Sequence, residues 1–119
     1  MRLHGLLLCA GLALVVAGCT TKRLTTEGAD VMTVSQQPTG CERLGDVVGS
    51  AGGGVQGEVT SAEDLDRGAR NELRNNAGLL GADTVQILRR EGVTPQDFTG
   101  QGGPTEVRFT GVAWRCGRD

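Results

Sequence analysis

Histidine is almost missing from this sequence, and the single copy, His4, lies near the amino terminus. Tyrosine is absent, and the only aromatic residues are Phe98, Phe109 and Trp114. The leader peptide described below removes His4, which leaves no imidazole to serve as a general base or metal ligand. Three aromatic side chains allow only a modest core, so we expect one small domain.

The sequence also has no strong excess of either charge, since its formal net charge is −2. That balance excludes the basic footprint of a nucleic-acid-binding domain. No apolar run reaches the roughly 20 residues that a membrane-spanning helix needs. The glycine-rich residues 50–58 lack the lysine and hydroxyl residue of a phosphate-binding P-loop, so we interpret them as a connection.

The amino terminus has the pattern of an exported lipoprotein. Arg2 is followed by an almost wholly apolar stretch from Leu6 to Val16, which ends in small residues before Cys19. A basic head, a short apolar core and a small-residue end are typical of a secretory signal peptide. Val16-Ala17-Gly18-Cys19 resembles the lipobox of bacterial lipoproteins, which implies cleavage between Gly18 and Cys19.

The lipobox resemblance also implies what Cys19 carries and where the protein resides. In lipoproteins the thiol receives a diacylglycerol and the new amino group is usually acylated as well, with palmitate as a typical chain. We expect no other cofactor. Lipoproteins retained in the inner membrane often carry aspartate after the cysteine, whereas this chain has Thr20, which predicts the periplasmic face of a Gram-negative outer membrane. The alternative is a secreted protein with a chance cysteine.

Two cysteines remain after Cys9 leaves with the leader and Cys19 takes up lipid. Cys41 and Cys116 form an even pair in an oxidising compartment, which predicts a disulfide. It would close a loop of about 75 residues and stabilise the fold by at most roughly 4.5 kcal/mol in the chain-entropy treatment. The alternative is a redox-active or metal-binding pair, but the sequence has no CxxC spacing and no histidine to support it.

These features divide the chain into three parts. Residues 1–18 are the signal peptide, and residues 19–40 are the lipidated amino terminus followed by a flexible tether. Alternation within the tether allows a short strand at Asp30–Ser35. Residues 41–119 form the predicted domain.

The predicted domain contains one helix and at least three strands. Ser61 begins the helix, since it precedes acidic residues in the first turns. An apolar stripe then recurs every three or four residues, and Gly81 is the predicted end of the helix. The stripe consists of Leu65, Ala69, Leu73, Ala77 and Leu80. Glu42–Gly49, Asp83–Arg90 and Glu106–Cys116 read as strands. A β-bulge at Gly111 would bring the apolar residues of the last strand onto one face.

The element order predicts an α+β fold, with one helix packed on a three- or four-stranded sheet. The predicted core consists of residues from all of these elements: Leu44, Val47, Leu65, Ala69, Leu73, Ala77, Val85, Ile87, Phe109 and Trp114.

Three arginines, Arg67, Arg70 and Arg74, fall on the polar side of the helix and form a candidate interaction face. Glu63 and Asp66 each lie four residues before one of them, so ordinary surface ion pairs are one interpretation. The alternative is a row that binds phosphate groups or lipopolysaccharide. We identify no catalytic or metal-ligating residues.

Three segments together resemble a family of uncharacterised small proteobacterial lipoproteins: "CERLGDV" (Cys41–Val47), "ARNELRNNAGLLGADTV" (Ala69–Val85) and "GVAWRC" (Gly111–Cys116). The order of elements is more distantly similar to the outer-membrane lipoproteins that sense envelope damage for the Rcs phosphorelay. The family implies no particular activity. The lipid anchor, together with a domain that lacks a reactive cluster, predicts a non-catalytic interaction or sensor module that meets the membrane through its lipid and binds another envelope protein or peptidoglycan. The alternatives are a periplasmic hydrolase and a small-ligand- or metal-binding lipoprotein.

Overall fold

The computed structural model of the chain describes residues 22–53, 61–93 and 106–117. These residues form, in order, α1 (Thr26–Ala29), β1 (Met32–Val34), β2 (Glu42–Gly52), α2 (Ala62–Leu79), β3 (Thr84–Val93) and β4 (Glu106–Arg115). The strands make one mixed sheet in the order β1-β3-β4-β2, with β1 parallel to β3 and the other pairs antiparallel. The predicted α+β fold, a helix packed on a small sheet, is confirmed.

Helix α2 begins where the capping signal predicts. The Ser61 side chain accepts a hydrogen bond of 3.1 Å from the backbone N–H of Asp64 and so satisfies one of the free amide groups of the first turn. Its apolar stripe packs on the sheet, with Leu65, Ala69, Leu73 and Ala77 buried. Leu80, the last residue of the predicted stripe, instead caps the helix and is 44% exposed.

Gly49 lets β2 lie directly against the backbone of α2. A Cβ atom on Gly49 would stand 2.2 Å from the amide nitrogen of Leu73 and 2.4 Å from the carbonyl oxygen of Ala69. Only a residue without a side chain fits there. The helix is thereby seated over β2 and β4, and the helix side of β3 is less covered.

The predicted core is present, but not all of it lies on one face of the sheet. Leu44 and Ile87 are partly buried and pack against the main cluster. Trp114 is 7% exposed, yet it has the opposite parity along β4 from Phe109, so it is buried on the face away from α2.

The predicted bulge at Gly111 is wrong. The β2–β4 register runs without interruption from Gly45↔Ala113 to Gly52↔Glu106, and the shifts in the sheet lie between Arg43 and Gly45 in β2 and between Ile87 and Arg89 in β3. Gly111 instead allows β4 to approach β3 closely, because a Cβ atom at this position would lie 2.3 Å from the carbonyl oxygen of Gln86.

The segment predicted to be a tether is part of the fold from Lys22 onward. It contains α1 and β1, and the strand predicted within Asp30–Ser35 is present as Met32–Val34. β1 pairs with the first three residues of β3, Thr84–Gln86. Burial of Val31, which is 1% exposed, fixes this segment to the core.

Candidate functional site

The three arginines of the candidate interaction face lie in three different environments. Arg67 is the most exposed of the three arginines, with 61% of its side chain accessible, and it forms an ion pair of 2.9 Å with Asp64. Its guanidinium contacts no other element within the described residues. Arg67 therefore belongs to the solvated surface of the first half of α2.

Arg70 lies at the junction of α2 with the sheet. Its guanidinium carbon stands 5.1 Å from the centroid of the Phe109 ring, which is a cation–π geometry. Asp66, one turn earlier, accepts from Arg70 at 3.4 Å and also from Arg90 of β3. One carboxylate thus joins two arginines from separate elements and connects α2 to β3.

Arg74 has a structural task. Its Nε donates to the carbonyl oxygen of Val31 at 2.9 Å, and its terminal nitrogen donates to that of Ala29 at 3.1 Å. These bonds connect α2 to the residues between α1 and β1. The guanidinium of Arg74 is therefore directed at backbone of its own chain.

Open depressions lie along the side of α2 that faces β1 and β3, and we name them together the groove. Two depressions of about 510 and 370 Å³ share Arg70. The first has a charged lining that includes Asp66, Arg67 and Arg90. The second is lined by Arg70 and by the residues Thr33, Val34, Ser35, Ile87 and Phe109.

The groove exists because the sheet is incompletely covered on this side. α2 lies mainly over β2 and β4, and β1 pairs with only three residues of β3. An apolar floor of Ile87 and Phe109 with arginines at the rim suits a ligand that has both an apolar body and an anionic group. Because Asp66 already neutralises Arg70 and Arg90 in part, the groove has no strong excess of positive charge.

The outer face of α2 is crossed by residues 22–31, which we name the strap. Asn71 donates to the carbonyl oxygen of Lys22 at 2.8 Å. Asn75 donates to the carbonyl oxygen of Arg23 at 2.8 Å and accepts from the backbone N–H of Thr25 at 2.8 Å. The amide side chains of the helix therefore replace the partners that the extended strap backbone would find in a sheet.

Close packing continues under α1. A Cβ atom on Gly28 would lie 2.1 Å from Oδ1 of Asn75, and one on Gly78 would lie 2.8 Å from the carbonyl group of Glu27. The two glycines allow α1 and α2 to touch through their backbones. Helix α2 is thus enclosed between the sheet and the strap in its second half.

The predicted pairing of Cys41 with Cys116 is confirmed, with an S–S distance of 2.08 Å. The bridge joins the residue before β2 to the residue after β4, at the end of the sheet where α2 also ends. Gly18 and Cys19, the predicted cleavage and lipidation positions, lie outside the described residues.

Several residues of the site were missed by sequence reasoning. Asp66 was read as a local partner of Arg70, whereas its second contact, with Arg90, spans 24 positions. No role is assigned to Asn71 or Asn75 from the sequence alone. A local signal was nonetheless present: asparagine is a weak helix former, so two of them on one helical face indicate a role outside the helix.

The fold and the site define a small α+β domain. Its helix is held between sheet and strap, and one disulfide joins β2 to β4 at one end of the sheet. Residues 22–116 match a family described as a domain of unknown function (DUF4156), and the chain belongs to that family. The match begins at Lys22, the first residue of the strap.

The chain is also similar to curated proteins that bear the name "Uncharacterized protein YjeI" in Escherichia coli K12, Escherichia coli O6:H1 and Shigella flexneri. It is 28% identical to each over 108 residues, which cover 89% of this chain and 90% of the relative. Within the described ranges, no helix is long and apolar enough to cross a bilayer, and no group of three metal-binding side chains converges.

Proposed function

We propose that this protein is a non-catalytic lipoprotein of the bacterial envelope, anchored through acylated Cys19 in the outer membrane, whose domain binds another envelope component. The strap is the observation that carries the proposal. Its contacts with α2 begin at Lys22, three positions after the cysteine of the lipobox-like motif. A folded module placed so close to a lipid anchor is suited to act at the membrane surface.

The anchor is tested by metabolic labelling with radioactive palmitate in Escherichia coli. The wild-type chain is expected to take up label and Cys19→Ala to lose it, because the thiol is the acylated atom. Cys9→Ala, which removes a cysteine of the leader, is the matched control and should keep the label. Label that persists in Cys19→Ala contradicts the proposal.

The membrane is tested by separating inner and outer membranes on a density gradient. The wild-type protein is expected with the outer membrane, and Thr20→Asp is expected to move it to the inner membrane. Equal distribution of both proteins would contradict the predicted location while leaving lipidation intact.

The interaction role is tested by photo-cross-linking in intact cells. A photoreactive residue in place of Arg67, the exposed arginine of α2, is expected to capture one protein or peptidoglycan. A photoreactive residue at Arg43, whose side chain is also about half exposed and pairs with Asp46, is the control site. Capture of lipid alone from Arg67 contradicts an interaction module.

The groove favours a second candidate function, the binding of a small amphiphile with an anionic group. Anilinonaphthalene sulfonate has that chemistry and becomes fluorescent in apolar surroundings. We expect saturable binding to the folded protein, weakened in Arg70→Ala because Arg70 lines both depressions, and retained in Arg43→Ala. Binding that is unsaturable or equal in both variants contradicts this candidate.

A further inference from the structure

We infer that the outer edge of β2 lies against the phospholipid leaflet that carries the acyl chains of Cys19, and that the depression lined by Thr33, Val34 and Ser35 faces away from it. This inference rests on the lipid anchor of the proposed function. The proposed binding partner is therefore the leaflet itself. The surface that contacts it consists of the start of the strap and the exposed edge of β2.

The first step is the length of chain available between the anchor and the domain. Only Thr20 and Thr21 separate Cys19 from Lys22. Three residue steps span at most about 11 Å even when fully extended. An acylated cysteine lies at the level of the headgroups, so Lys22 must lie within that distance of them.

The second step is that Lys22 has a fixed place in the domain. Its Nζ donates to the carbonyl oxygen of Ser50 at 2.8 Å and lies 3.0 Å from Glu72. Asn71 holds its backbone carbonyl at 2.8 Å. Contacts with β2 and α2 together mean that, while the strap is bound, the part of the domain held near the anchor is the one that contains Ser50 and Glu72.

The third step is that Ser50 belongs to an edge strand. β2 is the last strand of the sheet and pairs with β4 on one side only. Lys22, Glu72 and Asn76 hydrogen-bond its outward backbone groups at Ser50 and Val48. These side chains block the addition of another strand there, so this edge suits a surface that is not a strand partner.

The chemistry of this edge fits phospholipid headgroups. Lys22 and Arg23 are basic and exposed, and they lie next to each other where the strap begins. Because Glu72 already pairs with Lys22 at 3.0 Å, Arg23 contributes more of the positive charge. Leu24 and Val48 are apolar and are 36% and 46% exposed. Basic groups close to an anionic leaflet are attracted within about 8 Å at physiological ionic strength.

The opposite corner of the sheet must then point away from the leaflet. Met32 in β1 lies three strands from β2, and in register it stands level with Arg43, seven residues from Ser50. Because of the register shift between Arg43 and Gly45, this separation is six steps along β4, from Trp114 to Arg108. Strand spacing and rise therefore place Met32 about 25 Å from Ser50. The depression lined by Thr33 and Ser35 opens on that side, whereas Arg90 of the other depression is level in register with Gly49 of β2.

The test compares two apolar residues that are equally exposed, Val48 at 46% and Met32 at 47%. Val48→Cys and Met32→Cys are each labelled with a fluorophore in the purified lipidated protein, in which Cys41 and Cys116 are bonded and Cys19 is acylated. The protein is placed in vesicles of phosphatidylethanolamine and phosphatidylglycerol that contain a headgroup nitroxide quencher. We expect the emission of the Val48 label to be lost and that of the Met32 label to persist.

The control is a longer linker between Cys19 and the domain. About ten Gly/Ser residues inserted between Thr21 and Lys22 add roughly 17 Å of mean reach and should abolish the difference between the two labels. Palmitate incorporation is measured on the same samples. Equal quenching of both labels in acylated protein overturns the orientation alone, whereas absence of palmitate overturns the lipid anchor and the orientation with it.

Discussion

The two ends of the sheet are held by different kinds of interaction. At the end where α2 finishes, which we call the disulfide end, Cys41 is bonded to Cys116. There the carboxylate of Asp83 also accepts the backbone N–H groups of Cys116 and Gly117, both at 2.9 Å. At the end where α2 begins, which we call the helix-start end, the described contacts between helix and sheet include the ion pair of Asp66 with Arg90.

The comparison shows where rigidity is concentrated. A covalent bond and hydrogen bonds to backbone depend on one geometry, whereas exposed ion pairs are weak and tolerate rearrangement. The disulfide end also carries α1 and β1, so the second half of α2 is enclosed. The helix-start end holds Arg67, Arg70 and the charged part of the groove. Side chains there can rearrange to fit a partner at the smallest cost in free energy.

The largest loss of stability should follow removal of the disulfide. The double variant Cys41→Ser/Cys116→Ser is expected to lose about 4 kcal/mol of unfolding free energy, because the closed loop of 75 residues constrains the unfolded chain. Urea denaturation of the purified protein measures the change. A loss below about 1 kcal/mol would show that the disulfide end does not depend on the bridge.

A smaller loss is expected when the strap is released. Asn75→Ala removes the partners of the Arg23 carbonyl and of the Thr25 N–H, and should cost about 2 kcal/mol. Asn71→Ala removes a single bond, to the carbonyl of Lys22, and should cost about 1 kcal/mol. Hydrogen exchange of the Thr25 amide should accelerate in Asn75→Ala more than in Asn71→Ala. Equal effects of the two variants would contradict the role given to Asn75.

At the helix-start end, Asp66→Ala should cost only about 1 kcal/mol, because two partly exposed ion pairs are lost together. The difference from the wild-type protein should shrink in about 1 M NaCl, where the screening length is near 3 Å. Thermal unfolding at low and high salt measures both values. A loss as large as that of the disulfide variant would overturn the contrast between the two ends.

The smallest effect is expected for Arg67→Ala. Its i,i+3 pair with Asp64 is exposed, and such pairs contribute about 0.2–0.5 kcal/mol. Arg74→Ala is the informative comparison, since it breaks two bonds to the strap and should cost at least about 1 kcal/mol. If the two variants were equal in urea denaturation, the three arginines would form one surface row after all.

Local patterns in the sequence predicted α2 and the three long strands well. The Ser61 cap and the spacing of Leu65, Ala69 and Leu73 arise within one or two turns, so neighbouring residues suffice to define them. The disulfide was predicted because only two cysteines remained to pair. In each case the prediction needed only the neighbouring residues in the chain or the number of cysteines left to pair.

The strap and the groove were not predictable in the same way. Asn75 meets Thr25 across 50 positions, and Arg74 meets Val31 across 43. The groove depends on how far β1 extends along β3. That length cannot be predicted from the residues of β1. Arg74 has the same side chain as Arg67 and lies on the same polar side of the helix, yet its partners make it structural.

The amino-acid sequence alone determined the four strands, the capped amphipathic helix α2 and the pairing of Cys41 with Cys116, because these follow from periodicity, local capping and composition. The tertiary structure decided which polar residues are structural and which stay on the surface. It also decided that the chain after Lys22 belongs to the domain. The physical reason is that hydrogen bonds between distant residues form only after the backbone has brought them within about 3 Å, and the direction of that approach is set by packing.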